Sequence, residues 1–211
     1  MIKNVAIVDY GLGNILSTQQ SFLKVANDNN IKANIIITNQ PKNIAESTHI
    51  VLPGQGAFET CMKGLSSIPY MINELTKSVI NNKTPFLGIC VGMQLLANTS
   101  YENGEHKGLG WIEGQITKLP TKNLKLPHMG WNEVEIKNNK NNLVKKGQSL
   151  NYYFVHSYYF DCEHRKNVVG TTNYGINFTS FVNKENIYGV QFHPEKSSKQ
   201  GLNLINNFLK L

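Results

Sequence analysis

The chain has 211 residues, 40% hydrophobic and 17% charged, which suits a single domain over 1–211 whose core needs no disulfide or metal staple. Three irregularly spaced cysteines, Cys61, Cys90 and Cys162, make no disulfide framework, so a reducing, cytoplasmic setting is expected. The net charge of +7 raises nucleic-acid binding, but Arg165 is the only arginine and the lysines are scattered among asparagines, which argues against a phosphate- or guanine-reading surface.

The first residues run straight into an apolar strand over Val5 to Asp9, with no basic leader and no apolar run near the roughly 18 residues of a membrane span, so neither secretion nor membrane insertion is expected. A Gly11-Leu12-Gly13-Asn14 turn follows, and Ile15, Phe22, Leu23 and Ala26 recur at helical spacing. The turn lacks the third glycine of a dinucleotide fingerprint, Leu16 standing in its place, so it reads as a structural turn. Ile35 to Ile37 and Ile50 to Leu52 predict two more strands, the second broken by Pro53-Gly54-Gln55-Gly56. A helix is predicted over Tyr70 to Asn81, then a very apolar, strand-like run over Phe86 to Ile89 opened by Pro85, and a helix carrying Met93 to Leu96. Past Gly108 short β-rich segments take over, at Trp111 to Leu119, Trp131 to Ile136, Tyr152 to Phe160, Phe178 to Val182 and Ile187 to Phe192. Asn138 to Asn142 reads as an exposed loop. A final amphipathic helix follows a polar lead-in over Lys196 to Gln200, with Leu202, Ile205, Phe208 and Leu209 on one face. The fold class is therefore α/β, a mixed, mostly parallel central sheet flanked by helices, with antiparallel strands added in the C-terminal half.

The most specific local pattern is Gly88-Ile89-Cys90-Val91-Gly92 between a strand and a helix, a nucleophile elbow with Cys in place of Ser. Glycines two residues to either side are required where a strained strand-to-helix turn brings backbones together. Backbone N–H groups at the helix start favour a thiolate, and that of Val91 is placed to hold an oxyanion. Cys61 and Cys162 lack the bracketing glycines and read as inert thiols.

A thiol nucleophile needs a base. Among His49, His106, His128, His156, His164 and His193, only His193 ends an apolar strand and precedes a proline that keeps it extended, which puts His193 and Glu195 on one face. Glu195 can then orient the imidazole while the other ring nitrogen serves Cys90. Zinc held by Cys90, His193 and Glu195 is the competing use, but Cys90 has no second ligand at metal-site spacing. No metal and no cofactor is expected.

With the elbow and Gln191-Phe192-His193-Pro194-Glu195 in hand, the sequence resembles class I glutamine amidotransferases, whose fold is flavodoxin-like. Within them it is most similar to the glutaminase subunits of imidazole glycerol phosphate synthase, from histidine biosynthesis. Asp9 to Asn14, Leu52 to Phe58, Gly88 to Leu96, Gly108 to Trp111, Pro127 to Asn132, Phe154 to Tyr158 and Tyr188 to Lys196 carry the similarity from end to end. The resemblance implies Cys90 as nucleophile, His193 as general base and acid, and Glu195 as orienting carboxylate. It further implies a glutamine pocket of Gly54, Gln94, Glu102, Ser157 and Tyr158, and oxyanion donors from Gln55, Gly56 and Val91. Gln55 stands where the family usually has Val. The reaction implied is hydrolysis of glutamine to glutamate and ammonia through a γ-glutamyl thioester, with ammonia passed to a separate (β/α)₈ cyclase subunit in a heterodimer. That cyclase makes imidazole glycerol phosphate and AICAR. The alternatives are an amidotransferase subunit of the anthranilate or purine pathway, a stand-alone cysteine γ-glutamyl hydrolase, or a silent scaffold, though the last would not be expected to keep all three triad residues.

Overall fold

The computed structural model of the chain describes residues 2–120, 124–138 and 141–211. β1 (Lys3–Val8) leads through the glycine turn into α1 (Ile15–Asp28), β2 (Ala33–Thr38), α2 (Pro41–Ala45) and β3 (His49–Gly54). Next come α3 (Phe58–Ser67), α4 (Met71–Thr76) with a π-helical turn over Lys77–Asn81, β4 (Phe86–Cys90) and the single-turn α5 (Val91–Gln94). The second half supplies β5 (Thr99–Ser100), β6 (His106–Lys107), β7 (Gly114–Lys118), β8 (His128–Ile136), β9 (Ser149–His156), β10 (Tyr158–Cys162), β11 (Val168–Tyr174), β12 (Ile176–Lys184), β13 (Ile187–Val190) and α6 (Ser198–Leu209).

The strands order as β2-β1-β3-β4-β13-β12-β10-β7-β5-β6, with β11 beside β12 and β8, and β9 beside β8. The first five are mutually parallel; β13 then pairs antiparallel with β12, where the sheet changes character. β3, β4 and β13 are buried along their whole length, as strands of a covered parallel sheet must be, which is why they read as continuous apolar runs. α1 packs against α6, with the Phe22 ring edge-on to Phe208, while α2 and α3 pack against α4. The topology matters for function because β13 returns from the C-terminal half to lie beside β4. The ends of β3, β4 and β13 thus meet at the carboxyl edge of the parallel strands, where ligands of open α/β sheets are bound.

Several elements differ from the sequence reading. Tyr152 to Phe160 is not one strand: the chain breaks at Ser157, so that β9 pairs with β8 while β10 pairs with β7 and β12. Tyr152, Phe154, His156 and Phe160 keep one parity of burial across the break, so alternation carries no sign of it. Trp111 and Ile112 precede β7 instead of belonging to it, since their N–H groups both donate to the carbonyl of Leu96 beyond α5. The helix expected over Met93 to Leu96 is correspondingly one turn, closed by those donors. α2, α3 and β11 have no counterpart in the reading, although Pro41 opens α2 and Phe58, Cys61 and Leu65 mark α3 at helical spacing. α6 begins at Ser198, inside the supposed lead-in, and its buried face is Gly201, Leu204, Ile205, Phe208 and Leu209, with Leu202 only half-buried. In the asparagine loop, residues 139–140 lie outside the described residues, and Asn141 is buried: its side-chain oxygen accepts from the N–H groups of Leu143 and Val144.

Candidate active site

Cys90 ends β4 at φ 56° and ψ −112°, a conformation that costs a non-glycine residue about 1 to 3 kcal/mol and persists only where the surroundings enforce it. The enforcement is visible at the bracketing glycines. A Cβ on Gly92 would lie 1.8 Å from the Leu52 carbonyl oxygen, and one on Gly88 would lie 2.5 Å from that of Gly92. Because α5 is a single turn, its macrodipole is small, and the N–H groups that start it act locally on Cys90.

His193 follows β13 by three residues. Its backbone N–H donates to the carbonyl of Tyr153 on β9, while the Ser197 hydroxyl donates to the His193 carbonyl and accepts from the Tyr153 N–H. This bridge fixes the backbone on both sides of the ring. His193 Nδ1 sits 2.9 Å from Glu195 Oε1, leaving Nε2 buried and without a hydrogen-bond partner. Burial opposes the imidazolium, but a charged Cys90 beside it, with Glu195, outweighs that penalty and raises the ring above its ordinary value. By contrast burial pushes the Cys61 and Cys162 thiols up to about 11, which disfavours their thiolates at neutral pH.

A cavity of about 150 Å³ opens over Cys90, lined by Gln55, Gly56, Val91, Gln94, Glu102, Val155, His156, Ser157, Tyr158 and His193. Of the residues singled out in the sequence, Gly54 and Glu195 are not part of this lining. Gly54 lies opposite Cys90 in the β3–β4 ladder, and Glu195 stands behind His193. Gln94 is buried, its amide nitrogen donating to the Tyr158 carbonyl and to Gln191 Oε1, 3.0 Å each. Glu102 Oε2 accepts the N–H of Phe58 at 2.7 Å, tying its loop to the start of α3 just beyond Gln55 and Gly56. Among the described residues no three His, Cys, Asp or Glu side chains are grouped as metal ligands, and no helix is long and apolar enough to cross a membrane.

Three site residues were missed as such: Val155, whose carbonyl oxygen lies 3.9 Å from Cys90 Sγ, Gln191 and His156. Gln191, fully buried, joins Gln94 to Cys90, its amide nitrogen lying 3.8 Å from Cys90 Sγ. His156 lines the cavity and donates from Nδ1 to the Tyr158 carbonyl; its Nε2 must then accept from His128 Nδ1 at 3.0 Å, and His128 Nε2 accepts from Asn132. Burial keeps both rings neutral, with pKa values near 3 for His156 and 4 for His128. Only position identifies such residues: Gln191 lies two before His193, and His156 beside Ser157.

The class-I glutamine amidotransferase family profile matches residues 6–211. The chain is 46% identical over 210 residues to the imidazole glycerol phosphate synthase subunit HisH of Pelagibacter ubique, covering 99% of this chain and 100% of that one. It is 48% identical over 210 residues to subunit HisH 2 of Methanococcus maripaludis, covering 98% of both. Among solved structures, a glutamine amidotransferase aligns over 98% of this chain and 97% of its own with TM-score 0.72 at 17% identity. A glutamine amidotransferase from Thermotoga maritima aligns over 92% and 76% with TM-score 0.65 at 20% identity. At these identities the two structures speak to the fold.

Proposed function

The chain belongs to the class-I glutamine amidotransferases, with the HisH subunits of imidazole glycerol phosphate synthase, and from that premise we propose a mechanism and a partner for it. The protein is the glutaminase subunit of that synthase, acting in histidine biosynthesis. The observation that carries the mechanism is that Cys90 and His193 line one cavity, with the imidazole held from behind by Glu195 and its other nitrogen buried.

Cys90 gives its proton to His193, and the thiolate attacks the side-chain amide carbon of glutamine. Charge develops on the carbonyl oxygen, where N–H groups from Val91 and the Gln55-Gly56 segment meet it. His193 returns the proton to the departing nitrogen, ammonia leaves, and a γ-glutamyl thioester remains. Water, deprotonated by His193, attacks the thioester and releases glutamate and the Cys90 thiol. Gln94, Glu102, Ser157 and Tyr158, with Gly54 beneath, hold the amino acid.

The partner is a (β/α)₈ cyclase subunit that takes up the ammonia. Two features support this reading: the relatives are named as subunits of a synthase, and Met129 and Trp131 on β8 remain 62% and 55% exposed, with Trp131 edge-on to Tyr153. The test is glutamine hydrolysis by the chain alone and with a candidate cyclase and its nucleotide substrate. The complex is expected to form cyclised product from glutamine, and a complex carrying Cys90→Ala to form it only from ammonium salts. Rapid hydrolysis by the chain alone, unchanged by the cyclase, would favour a stand-alone hydrolase.

A further inference from the structure

Behind the cavity, the Pro53 to Gly56 segment is held by two side chains that the triad does not use. The Tyr10 hydroxyl donates to the Pro53 carbonyl at 2.7 Å, and the Cys61 thiol on α3 donates to the Gln55 carbonyl at 3.6 Å. Both donors are buried, Tyr10 at 6% exposure and Cys61 at 0%, and neither lines the cavity. Burial also keeps both protonated at neutral pH, raising the phenol well above its ordinary range and the thiol to about 11.

Space has been cleared for this contact. A Cβ on Gly64 of α3 would lie 2.8 Å from the Tyr10 carbonyl oxygen, and a Cβ on Gly54 would lie 2.8 Å from the Tyr10 hydroxyl oxygen. The hydroxyl therefore abuts the α-carbon of Gly54, the residue opposite Cys90 in the ladder. A trans peptide points its C=O and N–H in opposite directions, so pinning a carbonyl aims the N–H of the same peptide. The pinned carbonyls belong to the Pro53–Gly54 and Gln55–Gly56 peptides. Holding the Gln55 carbonyl on Cys61 directs the Gly56 N–H away from α3, and Gly56 lines the cavity beside Cys90. The restraint matters because Gly56 sits at φ +109° and a glycine flanking each side of Gln55 lets the peptide planes rotate at little cost.

We propose that Tyr10 and Cys61 are positioning residues that act from the core side: Cys61 fixes the peptide plane that carries the Gly56 N–H, and Tyr10 fixes the Pro53–Gly54 plane from which that segment departs. The proposal rests on the glutaminase reading and adds to it two residues that touch neither substrate nor triad. Its test compares Tyr10→Phe, which removes one hydroxyl, with the wild type in the assay state where the wild type is most active. Two rates are read: glutamine turnover, and alkylation of Cys90 by iodoacetamide, a displacement at saturated carbon that forms no oxyanion. Tyr10→Phe is expected to lower kcat about tenfold, short of the roughly 10² to 10³ lost with an oxyanion donor itself. KM and the alkylation rate are expected to stay within twofold. Cys61→Ala should lose rate severalfold, and Cys61→Ser, which keeps a donor, should recover most of it. Wild-type kcat in Tyr10→Phe overturns the proposal, and so does a parallel fall in turnover and alkylation, which would mark general damage to the elbow. A wild type that turns over no glutamine in any state would instead sink the glutaminase reading, and this proposal with it.

Discussion

Gly92 is pressed against Leu52 so closely that a side chain of even one carbon would meet the Leu52 carbonyl oxygen at 1.8 Å. This contact joins the start of α5 to β3, and it sets how Cys90 is presented beside the Pro53 to Gly56 segment. Gly92→Ala is expected to cost about 3 kcal/mol or more, since overpacked backbone cannot step aside as a flexible side chain can. Urea denaturation measures this, and a midpoint equal to that of the wild type would show that the elbow is not so constrained.

Among the three cysteines, only Cys90 sits in the cavity with a histidine beside it. Cys90→Ala and Cys90→Ser are expected to abolish glutamine hydrolysis, whereas Cys162→Ala leaves it unchanged and Cys61→Ala leaves it measurable. A glutamine-like electrophile should label one thiol per chain, found at Cys90 by peptide mapping. Labelling at Cys61, or complete loss of activity in a folded Cys61→Ala, would contradict a single nucleophile.

His193 and Glu195 share a 2.9 Å contact, and in the proposed mechanism they differ in role: the ring would transfer protons and the carboxylate would only orient and stabilise it. His193→Asn is therefore expected to lose on the order of 10² to 10⁴ in kcat, and Glu195→Gln distinctly less. Steady-state rates of the two variants decide the matter; the triad assignment fails if both turn over glutamine like the wild type.

The buried pair His128 and His156 predicts the acid limb of stability. Their folded pKa values, about 4 and about 3, lie below the ordinary 6.5, burial being the cause in both. Below pH 6.5 the unfolded chain takes up protons that the folded pair refuses, so stability falls as pH drops from 6.5 towards 4 and 3. At about 1.4 kcal/mol per pKa unit the pair contributes several kcal/mol of pH dependence in that window. His128→Phe should be less stable at neutral pH, having lost its bonds to His156 and Asn132, yet show a shallower decline on acidification. A wild-type urea midpoint that does not change between neutral pH and the acid end of this window would mean that the pair is not neutral in the fold.

The sequence by itself determined the elements whose signal is local. Glycines at 88 and 92 around Cys90, and the His193-Pro194-Glu195 spacing, depend on backbone sterics and strand alternation within a few residues, so elbow and dyad were legible in advance. Continuous apolar runs likewise marked β3, β4 and β13 as strands, and the structure buries all three along their length. What the tertiary structure alone decided is everything set by partners distant in the chain. The break at Ser157 leaves burial parity unchanged and is fixed only by β9 and β10 pairing with different strands. The one-turn length of α5 is set by N–H donors from the loop before β7. Gln191 meets Gln94 across 97 residues, and Tyr10 meets Pro53 across 43. Hydrogen bonds of that kind leave no periodicity in the sequence, because they are made by single polar side chains whose partners are brought within reach only when β1, β3, β4 and β13 align in one parallel sheet.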